Sequence, residues 1–221
     1  MATVASVDLQ CKQAAAVTVL RGTELIVSPW KNGGGVTREI AVHPPGATLD
    51  AFEWRVSVAD VGAAGPFSRF AGVDRTLVLL AGAGMLLDVV AGDGQRRPHV
   101  LSRVLDLARF AGEDAVDARL VDGPTRDFNL MVRRDRATGY VDLWRGDVVQ
   151  SLSAQVVLLY CACGRARVTL AGTAPVTLDA GDALRIDAPQ RLDCRVTDAG
   201  IAADTAACAL LVVSIDLATT R

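Results

Sequence analysis

The sequence predicts an all-β fold. Most of the 221 residues fall in short runs rich in β-forming residues, and these runs are separated by glycine, proline and aspartate. No segment carries a long apolar stripe at the helical period. Hydrophobic residues make up 51% of the chain and charged residues 22%, so a sizeable core can form.

Two stretches show the alternation of a half-buried strand most clearly. FEWRVSVAD (52–60) alternates large apolar residues with Arg55 and Ser57, and DFNLMVRR (127–134) alternates them with polar residues such as Asn129. Successive side chains of a strand point to opposite faces. Each stretch therefore predicts a strand with one face in a core and one polar face.

An internal repeat is visible between the two halves of the chain. RTLVLLAGAGMLLDV (75–89) and LDLARFAGEDAVDARL (105–120) are echoed by VVLLYCACGRARVTL (156–170) and VTLDAGDALRIDAP (176–189). Each half contains a strand, a glycine turn and a strand, then a second pair of strands around a glycine-aspartate turn. The pattern predicts two copies of one β unit, and it resembles the cupin barrel.

Charge, hydropathy and cysteine content exclude several classes of protein. With 23 basic and 25 acidic residues the net charge is -2, and the basic residues are scattered, so we expect no nucleic acid partner. No apolar run approaches the roughly 20 residues of a membrane span, and we expect neither a membrane location nor a cleaved signal. The five cysteines form no CxxC pair, which favours a reducing compartment and hence the cytoplasm.

Three segments in fixed order carry a more specific resemblance. They are PWKNGGGVTREI (29–40), WRVSVADVGAAGPFSRFAGVDRTLVLLAG (54–82) and GPTRDFNLMVRR (123–134). On these segments the chain resembles the HutD/Ves family, bicupin proteins associated with bacterial histidine utilisation. The resemblance implies two cupin-like units, at 1–145 and 146–221 with terminal strands free to cross between them, and a homodimer in the cytoplasm.

The three glycines of PWKNGGGVTREI do not form a phosphate-binding loop. A Walker loop needs Gly-Lys-Ser/Thr after its glycines and a following helix, whereas Lys31 precedes the glycines and a β-rich run follows them. We expect a bend that brings a strand close to the mouth of the first unit.

Residues for metal binding or covalent catalysis are missing from the sequence. His43 and His99 are isolated, and metal-dependent cupins require three histidines and a carboxylate. No GxSxG nucleophile elbow is present. We therefore expect no metal, no cofactor and no identifiable catalytic residue.

Polar residues on strands of the first unit are the candidates for a ligand site. Arginine with amide and hydroxyl groups suits a small carboxylate, because guanidinium can donate two parallel hydrogen bonds. The alternative is that Arg55 and Arg133 pair with Glu39, Glu53 or Asp127 and only join adjacent strands. The candidates are Asn32, Thr37, Glu39, Arg55, Ser57, Ser68, Asp127, Asn129 and Arg133.

The expected function is non-catalytic binding of a small carboxylate that modulates histidine catabolism, and the resemblance suggests urocanate or formylglutamate. One alternative is a metal-independent isomerase or hydrolase in which Glu39 or Asp127 is the base and Arg55 holds a carboxylate. Another is a dimeric interaction protein without a ligand.

Overall fold

The computed structural model describes residues 15–200 and 207–218, and their regular structure is almost entirely β. The all-β prediction is confirmed. The first strands are β1 (Ala16–Leu20), β2 (Val27–Pro29), β3 (Gly35–His43), β4 (Trp54–Val61), β5 (Gly65–Pro66), β6 (Val73–Ala81), β7 (Met85–Val90), β8 (His99–Leu101), β9 (Leu107–Ala111) and β10 (Ala115–Leu120). The remaining strands are β11 (Thr125–Arg133), β12 (Ala137–Arg145), β13 (Val148–Leu152), β14 (Val156–Cys163), β15 (Arg165–Leu170), β16 (Val176–Asp179), β17 (Ala183–Asp187), β18 (Leu192–Asp198) and β19 (Ala209–Leu217). A single 3₁₀ turn, Gly22–Glu24, lies among the described residues.

The strands form four antiparallel sheets. The two larger sheets have the orders β2-β3-β4-β11-β6-β9 and β1-β17-β14-β19-β12. The two smaller sheets have the orders β5-β10-β7-β8 and β13-β18-β15-β16. In the described part of the chain, no helix has the length and apolar character needed to cross a membrane.

The strand order repeats itself once along the chain. β4 to β11 and β12 to β19 are two runs of eight strands with the same pairings, so that β4-β11-β6-β9 matches β12-β19-β14-β17 and β5-β10-β7-β8 matches β13-β18-β15-β16. A β-bulge at the same place in both runs aligns them residue by residue. Next to the bulge, Asp127 pairs with Leu79 in the first run, and Leu210 pairs with Cys161 in the second, so Asp127 corresponds to Leu210 and Leu79 to Cys161. We call these runs the first and second units.

The units meet between β11 and β12, and the additional strands β1, β2 and β3 attach to sheet edges. β12 pairs with β19, and β1 pairs with β17, so both belong to the sheet of the second unit. The sequence-based boundary after residue 145 would assign β12 to the first unit. The repeat predicted from the sequence also matches the wrong strands. The sequence aligns the strands at 176–179 and 183–187 with β9 and β10, whereas their pairing in the sheets corresponds to that of β8 and β9.

Three apolar layers hold the four sheets together. One cluster lies between the sheets of the first unit and includes Leu77, Leu87 and Val116, and another lies between those of the second unit and includes Leu159 and Val196. The third cluster joins the two large sheets and is formed by residues of both units, among them Trp54, Phe128, Leu158 and Val213. The two units therefore share a core.

Candidate functional site

A polar face on the six-stranded sheet contains most of the predicted ligand residues. Residues two apart on a strand share a face, and cross-strand pairing places their neighbours in rows. We call three adjacent rows the polar face: Arg55, Met131, Arg75 and Phe110; then Glu39, Ser57, Asn129 and Leu77; then Thr37, Ala59, Asp127 and Leu79. The opposite face carries Trp54 and Phe128 into the shared core.

Arg55 is held by two neighbours on this face. Its Nε donates to the Glu39 carboxylate at 2.7 Å and its Nη1 donates to the Ser57 hydroxyl at 3.3 Å. The Arg55 side chain is 13% exposed and that of Glu39 is 40% exposed, so the ion pair lies at the solvent side of the polar face. Arg55 thus makes the strand-joining contact with Glu39 that the sequence left open as an alternative.

Arg75 is a second guanidinium on the same face, two strands away from Arg55 across Met131. It is 8% exposed and lies over the rings of Phe67, Phe70 and Phe110, with distances of 5.1 to 5.9 Å from its Cζ to the ring centroids. Its Nε is buried without a hydrogen-bond partner among the described residues. Burial lowers the pKa of Arg75 to about 10, so the group remains a cation at neutral pH.

Asp127 and Asn129 are two buried acceptors of the polar face. Both are buried, and Asp127 Oδ2 and Asn129 Oδ1 have no hydrogen-bond partner in the described structure. Burial raises the pKa of Asp127 to about 7 although Arg75 opposes the shift. At neutral pH Asp127 is therefore only partly ionised and offsets only part of the Arg75 charge.

Comparison with known proteins decides the family. The HutD family model matches residues 23–203. The chain belongs to the HutD family. It is 38% identical over 174 residues to an uncharacterized 21.2 kDa protein from the hutC 3' region of Pseudomonas putida, which covers 79% of this chain and 88% of that one. It is also 42% identical over 116 residues to protein Ves of Citrobacter koseri, which covers 52% of this chain and 57% of Ves.

Solved structures support the same family and its fold. HutD from Pseudomonas fluorescens has a TM-score of 0.74 at 33% identity and covers 92% of this chain and 100% of that one. A conserved protein of unknown function from Pseudomonas aeruginosa has a TM-score of 0.80 at 34% identity, with 91% and 99% covered. Oxalate decarboxylase from Lactobacillus farciminis has a TM-score of 0.64 at 9% identity, covering 98% and 90%, which shows that this HutD protein has a cupin-like fold.

Four other predicted residues have different roles in this HutD protein. The Thr37 hydroxyl, at the edge of the polar face, accepts from Trp30 Nε1 at 2.7 Å. Asn32 and Ser68 are exposed, and Asn32 Oδ1 accepts from the Gly34 amide at 3.0 Å. Arg133 lies one row beyond Met131 and donates to the backbone carbonyls of residues 50 and 52.

The candidate residues chosen from the sequence do not include Arg75 or its three phenylalanines. The stretch RTLVLLA alternates Arg75, Leu77 and Leu79 on one face, so period two was a usable signal. Because RTLVLLA is otherwise almost entirely apolar, its sequence predicts a buried strand and does not indicate a ligand site. Phe67 and Phe110 come from separate segments that only the folded chain brings together.

In the second unit of the HutD protein, apolar residues replace three polar residues of the polar face. By the bulge alignment, Asp127 corresponds to Leu210, Asn129 to Val212 and Arg75 to Val157. A cavity of about 440 Å³ lies against this equivalent face and is lined by Val157 and Val212 together with Asp142, Ser214 and Asp216 among others. Asp127, Asn129 and Arg75 therefore have no polar counterparts at the same positions of the second unit, whose cavity is lined by other polar groups.

A larger cavity of about 700 Å³ lies behind the polar face, where the two large sheets meet at one end of the shared core. We call it the intersheet cavity. Its lining includes Arg38, Val58 and Arg126 of the first unit's sheet and Arg21, Tyr160 and Arg165 of the second unit's side.

The histidines lie apart from these sites. The His43 ring stacks on Trp54 with centroids 5.8 Å apart, and its Nε2 lies 3.6 Å from Glu53. His99 begins β8 in a small sheet. Across residues 15–200 and 207–218, no three His, Cys, Asp or Glu side chains are arranged to hold a metal ion.

Proposed function

We propose that this HutD protein binds a small carboxylate at the polar face of its first unit and thereby modulates histidine catabolism. Urocanate and formylglutamate, which the family resemblance suggested, are the first ligands to test. Binding without turnover is the primary form of the proposal. The hutC-region relative and the HutD structure support the link to histidine utilisation.

The observation that carries the proposal is the charged, buried Arg75 guanidinium with an unpartnered Nε. An unpaired buried charge is costly, and a bound carboxylate would lower that cost by accepting charge-assisted hydrogen bonds. Phe67, Phe70 and Phe110 surround the same group and offer apolar contact to the rest of a ligand. Arg55, already oriented by Glu39, supplies the second cation of the face.

The proposal includes three features of the whole protein. The first and second units are the two closed barrels of a bicupin, the chain forms a homodimer, and it works in the cytoplasm. Sedimentation at micromolar concentration tests the dimer, and a monomer there would contradict that part.

Isothermal titration calorimetry with urocanate, formylglutamate and histidine tests ligand binding directly. We expect Arg75→Lys and Arg55→Lys each to weaken binding by about 1 to 3 kcal/mol, because lysine keeps the charge and loses the two-pronged geometry. Arg133→Lys is the control, since its guanidinium binds backbone carbonyls outside the polar face. No binding of the three compounds, or unchanged affinity in folded Arg75→Lys protein, would contradict the proposal.

One observation favours the alternative of a metal-independent enzyme. A carboxylate whose pKa lies near 7 in a buried site is suited to accept and release a proton, and Asp127 meets that description. Proton NMR of histidine-pathway intermediates incubated with the protein would reveal turnover. Turnover abolished by Asp127→Asn would establish the enzyme and replace the binding role.

A further inference from the structure

The intersheet cavity is lined by four arginines and by two carboxylates, Asp179 and Asp182. Arg38 and Arg126 form one wall with Val58, and Arg21 and Arg165 lie on the other. Its volume of about 700 Å³ is in the range of small-molecule sites. The Tyr160 ring forms part of the lining and packs against Phe128 at 5.1 Å between ring centroids.

Ion pairs with carboxylates orient the arginines. Asp60 accepts from Arg38 Nη1 and, at 2.5 Å, from Arg126 Nε. Partial burial would raise the pKa of Asp60, but the hydrogen bonds from Arg126 and Arg38 outweigh it and leave the pKa below its ordinary value. Asp60 therefore stays ionised and holds both guanidinium groups in place, while each keeps further N–H donors.

On the opposite wall the carboxylates Asp179 and Asp182 themselves line the cavity beside the arginines. Asp182 is buried and accepts from Arg21 Nη1 at 2.6 Å and from the Gly22 amide at 2.9 Å, and Asp179 accepts from Arg165 Nε at 2.5 Å. Four guanidinium groups thus face three carboxylates. The Tyr160 hydroxyl remains a neutral donor, because burial raises the pKa of Tyr160 to about 12.

We propose that the intersheet cavity binds a small organic dianion, with one acidic group held by Arg38 and Arg126 and the other by Arg21 and Arg165. Guanidinium donates paired hydrogen bonds to planar oxyanions, and two oriented pairs on facing walls match two separated acidic groups. Val58, Leu25 and the Tyr160 ring contact the apolar middle of such a ligand. The site is separate from the polar face, which lies on the other side of the six-stranded sheet.

Calorimetric titration of the full-length protein with succinate tests this site. We expect Arg126→Gln and Arg165→Gln each to weaken succinate binding by about tenfold or more, because each variant removes a charged donor from one wall. Arg126→Gln leaves Asp60 paired with Arg38, and Arg165 lies in an exposed ion pair, so both variants should fold. Arg96→Gln is the matched control, since Arg96 forms an exposed pair with Asp88 elsewhere.

Acetate and inorganic phosphate separate the two-wall arrangement from simple anion binding. Each has one acidic centre that reaches only one wall, so we expect both to bind more weakly than succinate. The proposal is overturned if either binds as tightly as succinate, or if succinate does not bind at millimolar concentration. It is also overturned if Arg75→Lys abolishes succinate binding while Arg126→Gln and Arg165→Gln leave it unchanged.

Discussion

At the scale of single residues, burial shifts the pKa values of Arg75 and Asp127 in opposite directions. It lowers the pKa of Arg75 to about 10 and raises that of Asp127 to about 7, because both charged forms lose water. Their mutual attraction opposes both shifts without cancelling them. At neutral pH the cation is retained and the anion is only partly formed.

The pKa of Asp127 makes stability depend on pH in a direction unusual for an aspartate. Between its ordinary value of 3.8 and about 7, the folded protein retains a proton that the unfolded chain has released. This residue therefore lowers the free energy of unfolding as pH rises through that window, by at most about 1.4 kcal/mol per pH unit. We expect urea unfolding to show Asp127→Asn gaining stability relative to wild type from pH 5 to 7. Parallel stability curves for the two proteins would exclude a raised pKa.

The alternation of polar and apolar residues along a strand identifies some residues of the site but not all of them. Arg55, Ser57, Asp127 and Asn129 were predictable because period two assigns them to the polar side of their strands. Asn32 was misleading, because its side chain accepts a local backbone hydrogen bond in a turn. The contact of Arg75 with three phenylalanine rings depends on pairing between distant segments, which no local pattern encodes.

At the scale of elements, the glycine segment forms a tight connection between β2 and β3. The Trp30 amide donates to the Gly35 carbonyl at 2.9 Å, and the Gly62 amide donates to the Gly34 carbonyl at 2.8 Å. A Cβ on Gly35 would lie 2.5 Å from the backbone oxygen of Asp60. β3 can therefore approach β4 here only without a side chain.

Gly35→Ala should destabilise the protein by about 1 to 3 kcal/mol, because a backbone atom rather than a flexible side chain blocks the new methyl group. Gly34→Ala is the control, since the nearest atom to its Cβ would be Asn32 Oδ1 at 3.3 Å, on a side chain that can move. Urea denaturation measures both. Equal stability of the two variants would show that the Gly35 approach is not restrictive.

Strand positions were predicted closely where alternation was strong. The stretches 52–60 and 127–134 contain most of β4 (Trp54–Val61) and β11 (Thr125–Arg133). The pairing of strands was harder to predict from the sequence. The two turns that contain glycine and aspartate look alike, but one connects β9 to β10 and the other connects β16 to β17. Turn chemistry defines a local bend and does not specify which sheet the next strand joins.

At the scale of the whole molecule, the shared core couples the two units. Trp54 and Phe128 of the first unit pack in one cluster with Leu158 and Val213 of the second. Composition and the repeat predicted two β units, whereas the shared core required knowledge of which strand faces are in contact. The sequence of β12 (Ala137–Arg145) also gave no sign that this strand pairs with β19.

Leu158→Ala should lower the free energy of unfolding by about 2 to 5 kcal/mol while leaving one cooperative transition, because Leu158 is fully buried in the shared core. Thermal unfolding followed by circular dichroism and by tryptophan fluorescence checks this, since Trp54 and Trp144 lie in different units. Leu143→Ala, at a 39% exposed position of β12, should cost less than about 1 kcal/mol. Two separated transitions would contradict coupling of the units.

The two units differ in the cost of burying the side chains at the positions of Asp127 and Asn129. Each buried polar group left without a partner costs about 1 to 3 kcal/mol, whereas burying a valine or leucine side chain stabilises by about 1.5 to 3 kcal/mol. Leu210 and Val212 occupy the positions that Asp127 and Asn129 hold in the first copy. At these positions the first unit therefore carries a stability cost that the second unit avoids, because the second buries apolar side chains there and the first buries acceptors without partners.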